Sequence, residues 1–152
     1  MSDNPFTAAL IYQDPKAALE WLERAFGFEL TMLIESSDDD RMLHAEMSLD
    51  GRGRVMIGGE WNERTRSPKA AGFNTQSVHV ELDRDIDAHC ERARKAGGVI
   101  AREPEDQFYG ARTYSVLDPE GHVWTFSQNV RAVSRAEAEK AIGAKIFAKG
   151  WA

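Results

Sequence analysis

A short motif that occurs twice in the chain constrains the fold more than any other feature. The pattern Leu-Asp-x-x-Gly-x-Val occupies residues 49–55 and recurs at residues 117–123. Upstream of each copy, a helix-like stretch ends at a glycine, Gly27 in the first half and Gly97 in the second. Matched segments in the same order indicate two structural units of one kind.

The first half predicts a strand, a helix and three further strands. Asp14 followed by Pro15 is typical of a helix start, and Gly27 is typical of a helix end. Apolar residues at i, i+4 and i+7 fall at Ala18, Leu22 and Ala25, as an amphipathic helix requires. The strands are predicted at residues 6–12, 28–35, 41–49 and 55–57, with a solvated turn at Asp38-Asp39-Asp40.

The second half repeats this order. A helix is predicted between Asp85 and Gly97, and its apolar positions are Ile86, Cys90 and Ala93. The strands are predicted at residues 77–82, 99–101, 112–117 and 122–127. Because one four-stranded sheet cannot cover both of its own faces, we expect the halves to pair. The fold class is therefore α+β, with a first βαβββ module at 1–59, a connector at 60–74 and a second module at 75–129.

The remaining residues, 130–152, predict an added C-terminal helix. Ser134 and Glu137 have the spacing of a capping box. Ala138, Ile142 and Ile146 form an apolar stripe that would dock on the body or on a partner subunit.

Charge and composition exclude several classes of protein. The 152 residues carry a formal net charge of −6, which argues against a nucleic-acid groove. No apolar run has the roughly 20 residues that span a bilayer, and no signal peptide is visible at the start. The single cysteine, Cys90, excludes an internal disulfide and is expected to be an inert buried thiol. We therefore expect a cytoplasmic protein with neither a nucleic-acid nor a membrane partner.

Several short stretches add to the tandem modules, the Asp-Pro-x-Gly turn and the capped tail helix. They are Tyr12-Gln13-Asp14, Glu20-Trp21-Leu22, Ala25-Phe26-Gly27-Phe28, His44-Ala45-Glu46, Tyr109-Gly110-Ala111-Arg112 and the run from Asp118 to Trp124. With these features, residues 6–128 resemble the vicinal oxygen chelate superfamily, and in particular its glyoxalase/bleomycin-resistance/dioxygenase-like and PhnB-like proteins.

The resemblance implies that each sheet curls into half of a barrel around a ligand cavity, with helices outside. It also implies four metal-ligand positions, which fall here on Thr7, Ile57, Ser77 and Thr125. None of these is a His or a carboxylate, the donors that catalytic divalent metals use. We therefore predict no metal cofactor at the family's usual centre.

Two His-x-Glu pairs allow alternative interpretations. His79 and Glu81 share one face of a strand, and His44 and Glu46 repeat the spacing in the first half. One hypothesis is a displaced metal site, and the other is exposed or hydrogen-bonded polar positions. A third places His79 in the pocket as a general base or hydrogen-bond partner.

Further candidates lie outside the two His-x-Glu pairs. Arg112 either clamps an anionic ligand at the cavity mouth or pairs with Glu105 or Asp106. Trp61, in the polar connector, either folds over a ligand or packs on the surface. Trp124 and Phe126 are expected in the core, because Thr125 between them is expected to face the cavity.

These observations predict a small-molecule-binding homodimer of the glyoxalase/bleomycin-resistance type. The expected pocket residues are Thr7, Ala9, Ile57, Ser77, His79 and Thr125, with Trp61, Tyr109 and Arg112 at the rim. The alternative is an enzyme, a lyase, isomerase or dioxygenase, that uses displaced metal ligands or His79 as a base. An interaction module with a collapsed cavity is the third interpretation.

Overall fold

The first half forms one four-stranded sheet with a helix on one face. The computed structural model describes residues 4–37 and 42–152, without the side chain of Leu43, so the predicted turn at Asp38-Asp39-Asp40 lies outside the described residues. The sheet has the order β1-β4-β3-β2, in which β1 and β4 are parallel and the other neighbours antiparallel. The elements are β1 (Ala8–Tyr12), α1 (Pro15–Phe26), β2 (Glu29–Glu35), β3 (Met42–Leu49) and β4 (Arg52–Gly59).

The second half has the same topology, with the order β5-β8-β7-β6. A short helix, α2 (Pro68–Ala71), interrupts the connector between the halves. The second set of elements is β5 (Ser77–Glu81), α3 (Ile86–Lys95), β6 (Val99–Asp106), β7 (Ala111–Leu117) and β8 (Val123–Asn129). The predicted fold class of tandem βαβββ modules is therefore confirmed.

The two helices start differently although their sequence signals look alike. Asp14 caps α1 by accepting a hydrogen bond from the Ala17 amide, as its position predicts. Asp85 has a positive φ of 59° and makes no such bond. The Gln128 side chain accepts from the Ile86 amide instead, so a residue from β8 satisfies the start of α3.

The halves join through the faces that carry the helices. Helices α1 and α3 contact each other, and Phe26 at the end of α1 packs edge-on against Trp124 and Phe126 of β8. The Trp21 indole donates to the Ala96 carbonyl at 2.8 Å. Trp124 and Phe126 are fully buried, which confirms their predicted place in the core.

A pair of buried carboxylates also links the halves. Asp118 accepts hydrogen bonds from the Tyr12 hydroxyl at 2.6 Å and from the Trp124 indole at 3.1 Å. Glu120 accepts from two backbone amides that follow β1 and from the Ser67 hydroxyl of the connector. The turn at residues 118–121 thus holds together the first strand, the connector and the last strand.

The two sheets remain open and do not close into a barrel within one chain. The face of each sheet away from the helices is only partly covered, and strand β2 is exposed along its whole length. The buried aromatic side chains lie on the helix faces, where they bury the most apolar area, so the halves pair there.

The C-terminal segment forms the predicted helix, α4 (Arg135–Ile142), which begins with the predicted Ser134–Glu137 capping box. Ala138 is fully buried, but the helix ends at Gly143, so the prediction that Ile146 continues its apolar stripe is wrong. The Trp151 indole donates to the Val133 carbonyl and folds the last residues back onto the start of the tail. Among the described residues, no helix is long and apolar enough to cross a membrane.

Candidate functional site

Alternation along β1 and β4 decides which residues lie on the open face of the first sheet. Leu10 and Ile57 are paired and buried on the helix face. Their neighbours therefore lie on the opposite face, where Ala9 pairs with Met56 and Ile11 pairs with Gly58. We call this surface the open face of the first sheet.

Ile57 does not line this face, and its predicted place in the pocket is wrong. Its side chain has no exposed surface and belongs to the core beneath α1. Strand β4 begins at Arg52, and its pairing with β1 turns Ile57 toward Leu10 and Met56 away from it. Met56, next to Ile57 in β4, takes the place on the open face instead.

Trp61 covers one end of the open face. A Cβ atom built on Gly58 would lie 3.1 Å from the Trp61 indole nitrogen, so the indole rests directly on this glycine. The Trp61 side chain remains 55% exposed, and its amide donates to the Thr65 hydroxyl in the connector. An aromatic ring placed over an open sheet is a surface on which a planar organic group can stack.

A chain of polar contacts crosses the same face. His44 Nε2 lies 3.0 Å from Glu46 Oε2, and Arg54 donates to Glu46 Oε1 at 3.3 Å. Arg54 also donates to the Thr7 hydroxyl at 3.1 Å. The hydrogen bond from His44, together with the charge of Arg54, holds the pKa of Glu46 below its usual value.

The open face of the second sheet is more polar and carries three of the predicted pocket residues. His79 is exposed and pairs in register with Thr125, whose hydroxyl lies 2.8 Å from the Ser115 hydroxyl. Ser77 is also exposed, at the start of β5. No hydrogen bond in the described part of the chain orients the His79 ring.

Residues of β1 and β5 together line two grooves between the halves. Arg54 and His79 both line a groove of about 520 Å³. Ala9 and Ser77 both line a smaller one of about 250 Å³, which the connector flanks. Of the predicted pocket residues, Ala9 and Ser77 thus line the same groove, and His79 lines the larger one.

Two of the predicted rim residues lie elsewhere. Arg112 bonds Asp87 of α3 at 2.8 Å and Asp106 at 3.1 Å, so it lies on the helix side and makes the structural pair considered as its alternative. These two carboxylates raise the pKa of Arg112 and occupy the guanidinium that a ligand would need. Tyr109 lies half-exposed in the turn before β7, packed edge-on against Phe108.

The residues at the four family metal positions do not fit a divalent cation. Thr7 already accepts a hydrogen bond from Arg54, Thr125 shares one with Ser115, and Ile57 faces the core. Within residues 4–37 and 42–152, no three His, Cys, Asp or Glu side chains form a group that could hold a metal.

Sequence reasoning missed Arg54 and Met56. Both share the face opposite Ile57, and only the pairing of Ile57 with buried Leu10 shows which face of β4 this is. His89 was also missed: its ring contacts the Tyr114 hydroxyl at 2.6 Å and the Phe26 carbonyl at 2.9 Å, and so joins the halves. The sequence around His89 predicts only a position on a helix, so it does not reveal that the ring connects the two halves.

Comparisons with known proteins agree with the architecture. Residues 6–126 match the family model of the Glyoxalase/Bleomycin resistance protein/Dioxygenase superfamily. An uncharacterised protein of Mycobacterium bovis is 28% identical over 141 residues, which cover 90% of this chain and 90% of that protein.

Two solved structures illustrate the range of similar folds. TioX from Micromonospora sp. ML1 is 33% identical, with a TM-score of 0.64, over 86% of this chain and 100% of that chain. TnmS3, an antibiotic binding protein from Streptomyces sp. CB03234, is 18% identical, with a TM-score of 0.63, over 81% of this chain and 93% of that chain. The likeness to TnmS3 is one of fold alone.

Proposed function

This chain belongs to the glyoxalase/bleomycin resistance protein/dioxygenase superfamily, and we propose that it binds a small organic molecule on the open faces of its sheets. The observation that carries this proposal is the make-up of the first open face. Apolar Ile11 and Met56 lie there beside the Trp61 indole and the polar contacts of Glu46 and Arg54. Small-molecule sites combine apolar walls with a few placed polar groups in this way.

The structural relatives support a binding role. TnmS3 binds an antibiotic on a similar fold, which is compatible with an organic ligand of modest size. Binding needs no metal, and the side chains at the usual metal positions are poor ligands for one. The Thr7 and Thr125 hydroxyls are uncharged and already hydrogen-bonded, so neither supplies an ionised oxygen that could coordinate a cation.

The functional unit in this proposal is a homodimer. Four apolar residues of β2 are each 40–46% exposed, namely Leu30, Met32, Leu33 and Ile34. Strand β2 is an edge of its sheet, so an uncovered apolar strand there favours association. A second copy set over the open faces would enclose the ligand, which a single chain leaves open to solvent.

Ligand-induced thermal stabilisation across a panel of small organic molecules tests the binding role. At least one compound is expected to raise the melting temperature of protein that has been treated with a chelator. Trp61→Ala is expected to reduce this stabilisation, and Phe147→Ala is the matched control because Phe147 is 93% exposed on the tail. No stabilisation by any compound would contradict the proposal.

Sedimentation equilibrium tests the dimer. Wild-type protein is expected to sediment as a dimer, and Ile34→Lys as a monomer, because a charge would then lie in the apolar contact. Ala70→Lys adds the same charge to an exposed position on α2 and is expected to leave the dimer intact. A monomeric wild type would refute this part of the proposal.

A further inference from the structure

The His44–Glu46 contact fixes which nitrogen of the neutral imidazole carries the proton. A carboxylate only accepts hydrogen bonds, so the 3.0 Å contact requires His44 to donate from Nε2. The neutral ring then presents Nδ1 as an acceptor, and this atom has no hydrogen-bond partner in the part of the chain that the structure describes. The His44 side chain is 31% exposed, so a bound molecule can reach it.

Glu46 is held in place from its other side. Its second oxygen accepts from Arg54, and Arg54 is positioned in turn by the Thr7 hydroxyl. The Glu46 side chain is only 13% exposed, and the charged groups that act on it are His44 and Arg54. A carboxylate fixed in this way orients the imidazole that donates to it.

The surroundings of this pair are apolar. Met56 and Met32 flank Glu46 in register on the two neighbouring strands, and Ile34 pairs with His44. Partly buried charges among apolar side chains interact more strongly than they do in water. A ligand on this face would therefore meet a positioned imidazole–carboxylate pair beside apolar side chains.

We propose that His44, positioned by Glu46, accepts a proton from the bound molecule, and that the open face therefore selects ligands with an ionisable hydroxyl group, a phenol or an enol. This inference rests on the proposed small-molecule function and names its ligand class.

The proton transfer balances within the site. The ligand O–H bond breaks, its proton forms a new N–H bond on His44 Nδ1, and both electrons of the old bond stay on the ligand oxygen. The resulting imidazolium lies between the ligand oxyanion and Glu46, and Arg54 adds a second positive charge nearby. A neutral hydrocarbon or amide gains nothing from this arrangement. A carboxylic acid is already ionised at neutral pH, so it has no proton to give.

A matched pair of probes tests the inference. 4-Nitrophenol carries the hydroxyl and absorbs differently as phenol and as phenolate, whereas nitrobenzene has nearly the same shape without the hydroxyl. Below the pKa of free 4-nitrophenol, wild-type protein is expected to bind it about tenfold more tightly than nitrobenzene, about 1.4 kcal/mol in binding free energy. Binding is also expected to increase the phenolate absorbance.

His44→Gln and Glu46→Gln are expected to abolish both the preference and the phenolate signal. Glu29→Gln is the control, because it removes a negative charge from an exposed position on β2. Circular dichroism checks each variant, and Glu46→Gln tests the same contact if His44→Gln does not fold.

Three results would overturn the inference. Equal affinity for the two probes would refute proton transfer to His44, and so would a phenolate signal that survives in both variants. In either case, binding of nitrobenzene would still support the proposed small-molecule function. Binding of neither probe would refute the ligand class, and the compound panel would then decide separately whether the protein binds any small molecule.

Discussion

Glu120 is the side chain whose replacement tests the joint between the halves most sharply. It is 9% exposed and accepts three hydrogen bonds, from the Gln13 amide at 2.6 Å, the Asp14 amide at 3.0 Å and the Ser67 hydroxyl at 2.6 Å. Its first oxygen serves Gln13 and Ser67, and its second serves Asp14. Glu120→Gln preserves the size of the side chain and replaces one of these acceptors with a donor.

The expected loss follows from this geometry. If the amide oxygen keeps its contacts to Gln13 and Ser67, the amide nitrogen faces the Asp14 N–H, and two donors meet in a buried place. One hydrogen bond to a charged group contributes roughly 1.5–3 kcal/mol, and the two that remain become weaker. We expect the free energy of unfolding to fall by about 2–3 kcal/mol, which lowers the melting temperature by about 4–12 °C for a chain of this length.

Thermal and urea unfolding of matched variants measure this effect. Glu20→Gln removes the same charge from an exposed position on α1. The structure shows no hydrogen bond or ion pair for Glu20 among the residues it describes, so the control is expected to change stability by no more than about 0.5 kcal/mol. Equal melting temperatures for the two variants would refute the role of Glu120 in joining the halves.

Three further predictions concern the core. Burial lowers the pKa of His89, so the unfolded chain binds its proton at higher pH than the folded protein, and stability present above about pH 6.5 is lost as the pH falls. Urea unfolding between about pH 7.5 and about pH 5 is expected to show a steeper loss for wild type than for His89→Gln, and parallel losses would contradict this. Burial raises the pKa of Cys90 to about 11, so iodoacetamide is expected to alkylate it only in denaturant, and rapid labelling of native protein would disprove this burial. Gly98→Ala places a Cβ 2.8 Å from a Val116 methyl and is expected to cost about 1–3 kcal/mol, whereas Gly59→Ala, whose nearest contact is 3.9 Å, is expected to cost clearly less. Equal unfolding free energies for these two glycine variants would show that the packing at Gly98 is loose.

The order of elements was predictable because its signals are local. Asp14, Pro15 and Gly27 mark the ends of α1 through the backbone groups beside them, and the repeated motif transfers the same order to the second half. Ser134 and Glu137 cap the tail helix through contacts three residues apart. Such features require no knowledge of the tertiary fold.

The placement of side chains on one face or the other was harder to predict. Met56 and Ile57 are both apolar, and only the pairing of Ile57 with Leu10 shows which of them enters the core. Arg112 lies on the helix side because Asp87, 25 positions away in the chain, reaches it from α3. Contacts between residues so far apart leave no periodic trace in a single sequence.

The links between the halves were the least predictable part of the structure. Glu120 bonds the Gln13 amide across 107 positions of sequence. His89 contacts Phe26 and Tyr114 on elements that only the folded chain brings together. These buried polar contacts depend on how the halves dock, which the sequence of either half does not determine.

Methyl NMR of the methionines during titration with 4-nitrophenol tests the central claim, that the open face of the first sheet is the ligand site. The Met32 and Met56 methyl signals are expected to shift, because these residues flank Glu46 on that face. The Met42 and Met47 signals are expected to stay in place, since both side chains are buried in the core. Shifts confined to Met42 and Met47, or an unchanged Met56 signal at saturating probe, would contradict the account.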